Sequence, residues 1–244
     1  ELKYISPYIN LIEFLRDPIK LLTDSYQKHG DLIFVGKIKD PIILAFGSKY
    51  NQMVNTTEYF EQIPSLIKRK PNSPITTLAA NLFNMNGEQH LKQRKMIMPF
   101  LNRGAVKLYY QDMINITLKT IEVWECDKTF DMAEATKLLT LMIASKALFN
   151  LDVKDEALAI STAFKNSVDS ATNPLSILFQ KDILGTPYHK LVERSQKVVD
   201  LIQALIDKKS SLKTTDKDVL SMLIQARDDD GTTFTNMELI GQTY

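Results

Sequence analysis

Over most of this chain apolar residues recur every three or four positions, the period of a helix buried on one side. Residues 6–14 are mixed, with a short turn at Pro7. Asp17-Pro18 then sets a capping acid before a proline whose fixed φ suits the first helical turn. Ile19, Leu22 and Tyr26 follow at helical spacing, and Gly30 stops the run, leaving His29 as a last-turn cation favoured by the helix dipole. Residues 32–38 and 42–46 break the period: both are rich in Ile, Val and Phe, and Lys39-Asp40-Pro41 splits them, which predicts a β-hairpin. Their lack of strict alternation predicts burial on both faces. Ser48 caps a helix running to about residue 59, and residues 61–85, with Pro64, Pro71, Pro74 and no clean period, predict a long loop holding a short helical piece.

Downstream the pattern is almost wholly helical. Val106, Tyr109, Tyr110, Met113, Ile114, Ile121 and Trp124 outline a long amphipathic helix, and residues 129–132 a short strand. Residues 133–149 are the most apolar stretch and predict a central helix, in which Met142 fills a gap in the core. A helix over 154–170 precedes a break at 173–188 marked by Pro174, Gly185 and Pro187, with Leu175, Ile177, Leu178 and Phe179 partly exposed. Leu191, Val198, Ile202, Leu205 and Ile206 define a strong helix over 189–209, and 208–217 is a polar loop. A short helix over 218–226, an acidic turn ending at Gly231, and the capping box Thr235-x-x-Glu238 opening a last helix complete the chain. The fold class is therefore mainly α with a small β-hairpin near the N-terminus, and residues 1–244 read as a single domain without an internal repeat.

One helix carries candidate chemistry. Asn86 suits an N-cap, Gln89 stands where a capping box closes, Glu88 lies in the first turn, and Pro99 ends or kinks the run. At about 100° per residue, His90, Arg94, Ile97 and Leu101 share a face and Lys92 and Lys95 point away from it. A His and an Arg one turn apart can donate to the same anion. A merely solvated pair is the plain alternative.

Composition narrows the classes. With 44% apolar and 24% charged residues the chain is an ordinary globular protein, and a net charge of +1 gives no reason to expect nucleic acid. The run Lys68-Arg69-Lys70 is short enough to be solvated. A single cysteine, Cys126, excludes an intramolecular disulfide and a multi-cysteine zinc site; it fits a reducing compartment, and a cytoplasmic location is expected. His29, His90 and His189 are too scattered for a metal site. No apolar run approaches the ~18 residues of a membrane span, so membrane contact is open but not indicated.

The frame Gly87-Glu88-x-His90-x-x-x-Arg94-Lys95, followed by apolar residues and Pro99-Phe100, closely resembles the helix of bacterial cytochrome P-450 enzymes that crosses the haem. The link Tyr26-x-x-His29-Gly30-Asp31 within helix, hairpin, helix resembles the start of that fold. A second match is Asp218-Val219-Leu220-Ser221-Met222-Leu223-Ile224-x-Ala226-Arg227-Asp228, an acidic turn, then Thr235-Asn236-x-Glu238-Leu239-Ile240.

The resemblance implies that His90 and Arg94 hold a propionate of haem b. It implies too that residues 61–85 roof the haem pocket, which makes Leu82 and Phe83 candidates for apolar substrate contacts, with ordinary core packing as the competing account. The break at 173–188 would flank the substrate entrance. The implied activity is monooxygenation of a small or medium apolar molecule with O2 and electrons from a ferredoxin or reductase. Lys92 and Lys95 could meet such an acidic donor, although a solvated face also explains them.

The resemblance spans the chain but only the N-terminal half of a family member. The family's acid-Thr pair is absent, since Thr243 lies too early, and so is its cysteine loop, since the frame Trp124-Glu125-Cys126-Asp127-Lys128 does not match. Cys126 reads as a partly buried or edge thiol. Glu13-Phe14-Leu15-Arg16 has the letters of the family's Glu-x-x-Arg at the wrong end of the fold and reads as a chance helical ion pair. No catalytic residue or metal ligand is therefore assigned here. The expectation is a chain incomplete at its C-terminus, exposing apolar surface and inactive without its thiolate ligand. A peroxide-using hydroxylase of the same fold and a non-catalytic helical interaction domain are the alternatives.

Overall fold

The computed structural model describes residues 3–4, 13, 16–37, 40–56, 60–61, 67–125, 127–151, 154–212 and 218–244. Contacts divide the chain into two compact units, Glu1–Glu61 and Gln62–Tyr244.

In the first unit, helix α1 (Pro18–His29) begins where the Asp17 side chain accepts the Lys20 N–H at 3.0 Å and ends at Gly30, whose φ of 88° stops the helix. The hairpin forms from β2 (Leu32–Lys37) and β3 (Asp40–Ala45), antiparallel with Ile33 opposite Leu44 and Val35 opposite Ile42. Strand β1 (Lys3–Tyr4) pairs parallel with the free side of β2. Ile33 and Val35 of β2 are buried, but β3 is not buried on either face: its neighbours Ile42 and Ile43 are 60% and 51% exposed, because β3 is the sheet's edge. Helix α2 (Ser48–Thr56) takes Ser48 as its first residue, and the predicted end near Tyr59 lies outside the described residues, as does the turn at Pro7. Glu13 and Arg16 are exposed, and no ion pair joins them.

Among the described residues, every regular element of the second unit is a helix. Its elements are α3 (Pro74–Leu78), a 3-10 turn (Leu82–Asn84), α4 (Gly87–Leu101), α5 (Arg103–Glu122), α6 (Met132–Phe149) and α7 (Lys154–Ala171). They are followed by α8 (Pro174–Leu178), α9 (Pro187–Leu212), α10 (Val219–Gln225) and α11 (Asn236–Thr243). The axis of the unit is α9, whose Val198 and Ile202 are wholly buried against Ile160 and Ala163 of α7, Leu220 and Leu223 of α10, and Leu239 and Ile240 of α11. A smaller cluster of Ile67, Tyr188 and Leu191 pins the start of α9.

Four expectations change. Residues 129–132 form no strand: Asp131 caps α6 instead, accepting the Ala133 and Glu134 N–H groups at 2.8 and 3.2 Å. Helix α6 is not central in this chain, because only Ser145 and Phe149 near its C-terminal end are buried. On α5 only Ala105 and Tyr109 are buried, while Val106, Tyr110 and Ile121 stand exposed and Trp124 lies past the helix against Phe130. Finally, α9 runs on through Leu212, so Lys209 belongs to its last turn and is buried rather than part of a polar loop.

Candidate functional site

Helix α4 is entered through Gly87, whose φ of 59° is left-handed and favours glycine. That turn changes the expected cap: Asn86 has the extended backbone of an N-cap, but its side chain makes no capping bond and Gln89 is exposed. Pro99 does not end the helix, which closes at Leu101 two residues later; Asn102 then caps α5 through the N–H groups of Gly104 and Ala105.

The buried stripe of α4 is Gln93, Met96 and Ile97, so the face predicted to hold His90, Arg94, Ile97 and Leu101 is not one environment. Ile97 joins the core, whereas Leu101 is 56% exposed. About 100° per residue places His90, Arg94 and Leu101 on one flank of the stripe, with Met98 and Leu91 beyond, and Lys92 and Lys95 on the other. Leu91 is 65% exposed and Met98 is also exposed, so this flank offers apolar side chains around two polar ones. His90 is half-buried and Arg94 exposed, and among the described residues neither side chain has a hydrogen-bond or ion-pair partner. Leu91, Arg94, Lys95, Met98, Pro99 and Asn102 line an open groove of about 580 Å³.

The opposite flank is neutralised internally. Lys92 pairs with Asp228 at 2.5 Å and Lys95 pairs with Asp229, both from the acidic turn after α10. The Asp228 side chain is nearly buried and also accepts the N–H groups of Asp230 at 3.0 Å and Thr232 at 2.7 Å. Its bond to Lys92 and those backbone bonds hold its carboxyl below the usual carboxylate range, and the same pair raises the Lys92 ammonium. Both lysines thus have carboxylate partners within the chain while their side chains stay on a solvated face.

Leu82 and Phe83 sit in the 3-10 turn ahead of α4 and part company. Leu82 is half-buried and packs against the main core, and its N–H donates to Gln242 Oε1 at 3.2 Å. Phe83 is 79% exposed. Cys126 lies outside the described residues. Among the described residues no cluster of His, Cys, Asp and Glu is arranged to hold a metal ion, and no helix is long and apolar enough to cross a membrane.

The flank's donor set, an unpaired imidazole and guanidinium amid apolar groups, fits the carboxylate edge of an otherwise apolar ligand. A family model described as Cytochrome P450 matches residues 7–244. The chain belongs to the cytochrome P450 family. Among P450 relatives, a sterol 14-demethylase of Arabidopsis thaliana is 22% identical over 95% of this chain and 47% of its own length. The cyclooctatin synthase of Streptomyces melanosporofaciens is 24% identical over 93% of this chain and 50% of its own. A solved structure, retinoic acid bound cyanobacterial CYP120A1, superimposes with a TM-score of 0.74 at 17% identity, over 95% of this chain and 51% of that one. The chain thus spans about half the length of the P450 relatives it matches, and it is the N-terminal part of the P450 fold.

Sequence reasoning missed the polar side chains and the close backbone contact inside the second unit. Gln93 stands three and four residues before Met96 and Ile97, a polar side chain inside an apolar stripe, and that position was the available signal. Gly241, Gln242 and the Lys209–Asp218 pair carried no such signal.

Proposed function

We propose that this chain is the N-terminal part of a haem-dependent monooxygenase that hydroxylates an apolar organic molecule of small to medium size. O2 supplies the oxygen, a protein donor supplies the electrons, and the enzyme is cytoplasmic. One observation carries the reading: His90 and Arg94, one turn apart and without partners among the described residues, stand on a flank whose neighbouring side chains are exposed and apolar. Two cationic or neutral N–H donors suit one propionate, through charge-assisted hydrogen bonds stronger than neutral ones. Leu91, Met98 and Leu101 suit the apolar body of a porphyrin. Haem, when bound, would supply the oxygen chemistry with a cysteine thiolate as its expected ligand, and the protein's share would be to orient and insulate it. No residue of this chain is assigned as that thiolate.

Phe83, with nearly its whole side chain free, and Leu82 behind it are proposed as apolar substrate contacts. The relative named for sterol demethylation and the structure bound to retinoic acid are consistent with an apolar substrate. Lys92 and Lys95 are not assigned to the electron donor, because Asp228 and Asp229 already hold them.

Haem titration tests the reading. In a protein that contains this chain and takes up haem stoichiometrically, changing His90 and Arg94 together to Ala should weaken retention by about tenfold or more, the scale of losing hydrogen bonds to a charged group. Unchanged retention removes both residues from the site. The 244-residue chain alone should give no thiolate-type Soret band in a carbon-monoxide difference spectrum. Such a band would refute the assignment of the thiolate outside it.

A further inference from the structure

A chain of side-chain amides runs through the interior beside α4. Gln93, only 4% exposed, donates from Nε2 to Glu238 Oε1 at 2.5 Å. Its Oε1 accepts from Gln242 Nε2, also at 2.5 Å. Gln242 Oε1 in turn accepts the backbone N–H of Leu82 at 3.2 Å. The end of the chain is fixed, since the other oxygen of Glu238 is held by the N–H and hydroxyl of Thr235 in the capping box of α11. Each amide therefore has its orientation set by the next, with every donor pointing toward the carboxylate.

The relay joins three elements, and packing leaves them little freedom to slide. A Cβ at Gly241 would overlap the backbone of Ala80, so α11 touches the segment leading into the 3-10 turn main chain to main chain. An apolar residue at position 93 would fill the stripe between Met96 and the turn equally well. The amide adds direction: it ties α4, on the side next to His90 and Arg94, to the turn that carries Leu82 and Phe83.

We infer that Gln93 is a positioning residue which, through Gln242, sets the placement of the Leu82–Asn84 turn relative to the helix bearing His90 and Arg94. For what lies between these two elements, haem and an apolar substrate, the inference rests on the proposed function. The placement itself does not.

Amide exchange at Leu82 tests the placement in the 244-residue chain. Gln93→Met keeps the size of the side chain and removes both of its bonds; Gln242→Met removes the acceptor of the Leu82 N–H directly. Each should speed exchange at Leu82, by roughly five-fold for the loss of one net hydrogen bond. Because the two residues act in series, the double variant should exchange no faster than Gln242→Met. Unchanged exchange at Leu82 in Gln93→Met, or additive effects in the double variant, would overturn the inference. Should Gln93→Met fail to fold, Gln242→Asn, which keeps the amide but shortens it, decides the same point from the less buried member.

In a haem-loaded protein containing this chain, imidazole and a phenylimidazole serve as probes of short and long reach. Gln93→Met should weaken the phenylimidazole roughly five-fold while imidazole affinity and haem content hold. Equal weakening of both probes would mean general loosening and would overturn the role in specificity. If no form of the protein takes up haem, the proposed function falls, while the exchange result at Leu82 still decides the placement.

Discussion

Buried polar residues hold this chain in ways that apolar pattern does not announce. Asp218 caps α10 by accepting the Ser221 N–H at 3.0 Å, and its other oxygen takes the Ser221 hydroxyl at 2.7 Å and the Lys209 ammonium at 2.9 Å. Both charged side chains are almost sealed from solvent, at 8% and 2% exposure. Removing one partner leaves a buried charge, so Lys209→Met should cost about 3 kcal/mol in urea unfolding, and adding Asp218→Asn, which keeps a capping oxygen without the charge, should recover most of it. A double variant as unstable as Lys209→Met would show that packing, not charge, is lost. Gly241→Ala forces a methyl into the Ala80 backbone and should cost about 2 kcal/mol or more, read by thermal unfolding; a neutral change would mean α11 can shift freely. In the sequence Lys209 stood where the predicted 189–209 helix and the 208–217 polar loop overlap, and Gly241 looked like any helical glycine. Lys209 takes its role from Asp218, nine residues on, and Gly241 from Ala80, far away in the chain.

At the scale of elements, the entry to α9 is built as a charged clasp. His189 places Nδ1 at 2.6 Å from Asp182 in the preceding loop and Nε2 at 3.5 Å from Glu193 one turn on. The bond to Asp182 and the charges of both carboxylates raise the imidazole above its ordinary value of 6.5. A raised value means the clasp contributes fully below pH 6.5 and is lost as pH climbs through the shifted value. Amide exchange over residues 179–186, corrected for intrinsic rate, should accordingly quicken as pH rises above 6.5 through the raised value, and His189→Gln should abolish that dependence. A variant with the same pH profile would exonerate the histidine. The Lys92–Asp228 pair runs the other way. With Asp228 held below its ordinary 3.8, its contribution is complete above that value and is lost as pH falls through the lowered one. Element identity was largely legible: the Asp17-Pro18 start, the hairpin, the loop with its short helix, and the Thr235–Glu238 capping box are local chemistry and form as expected. The 129–132 strand was misread because Asp131 competes as a helix cap, a choice settled by where α6 begins.

Across the whole molecule, the second unit keeps a continuous core around α9 while leaving large apolar side chains open on α4 and α5 and just past α5, among them Leu91, Leu101, Leu108, Tyr110, Leu118 and Val123. Where such side chains form a contiguous patch they mark contact sites or association. The 244-residue chain should therefore bind anilinonaphthalene sulfonate and self-associate with rising concentration in sedimentation, and a monomer that ignores the dye would show the surface to be broken up by polar groups. The sequence by itself determined the helical period, the caps and turns, the hairpin and the frame around His90 and Arg94, because each is written in residues a few positions apart. Tertiary structure decided which of those residues are free. It paired Lys92 and Lys95 with a turn more than a hundred residues away, sank Gln93 and Lys209, and left His90, Arg94 and Phe83 without a polar partner among the described residues. Burial and partnership are properties of long-range packing, which no local pattern encodes.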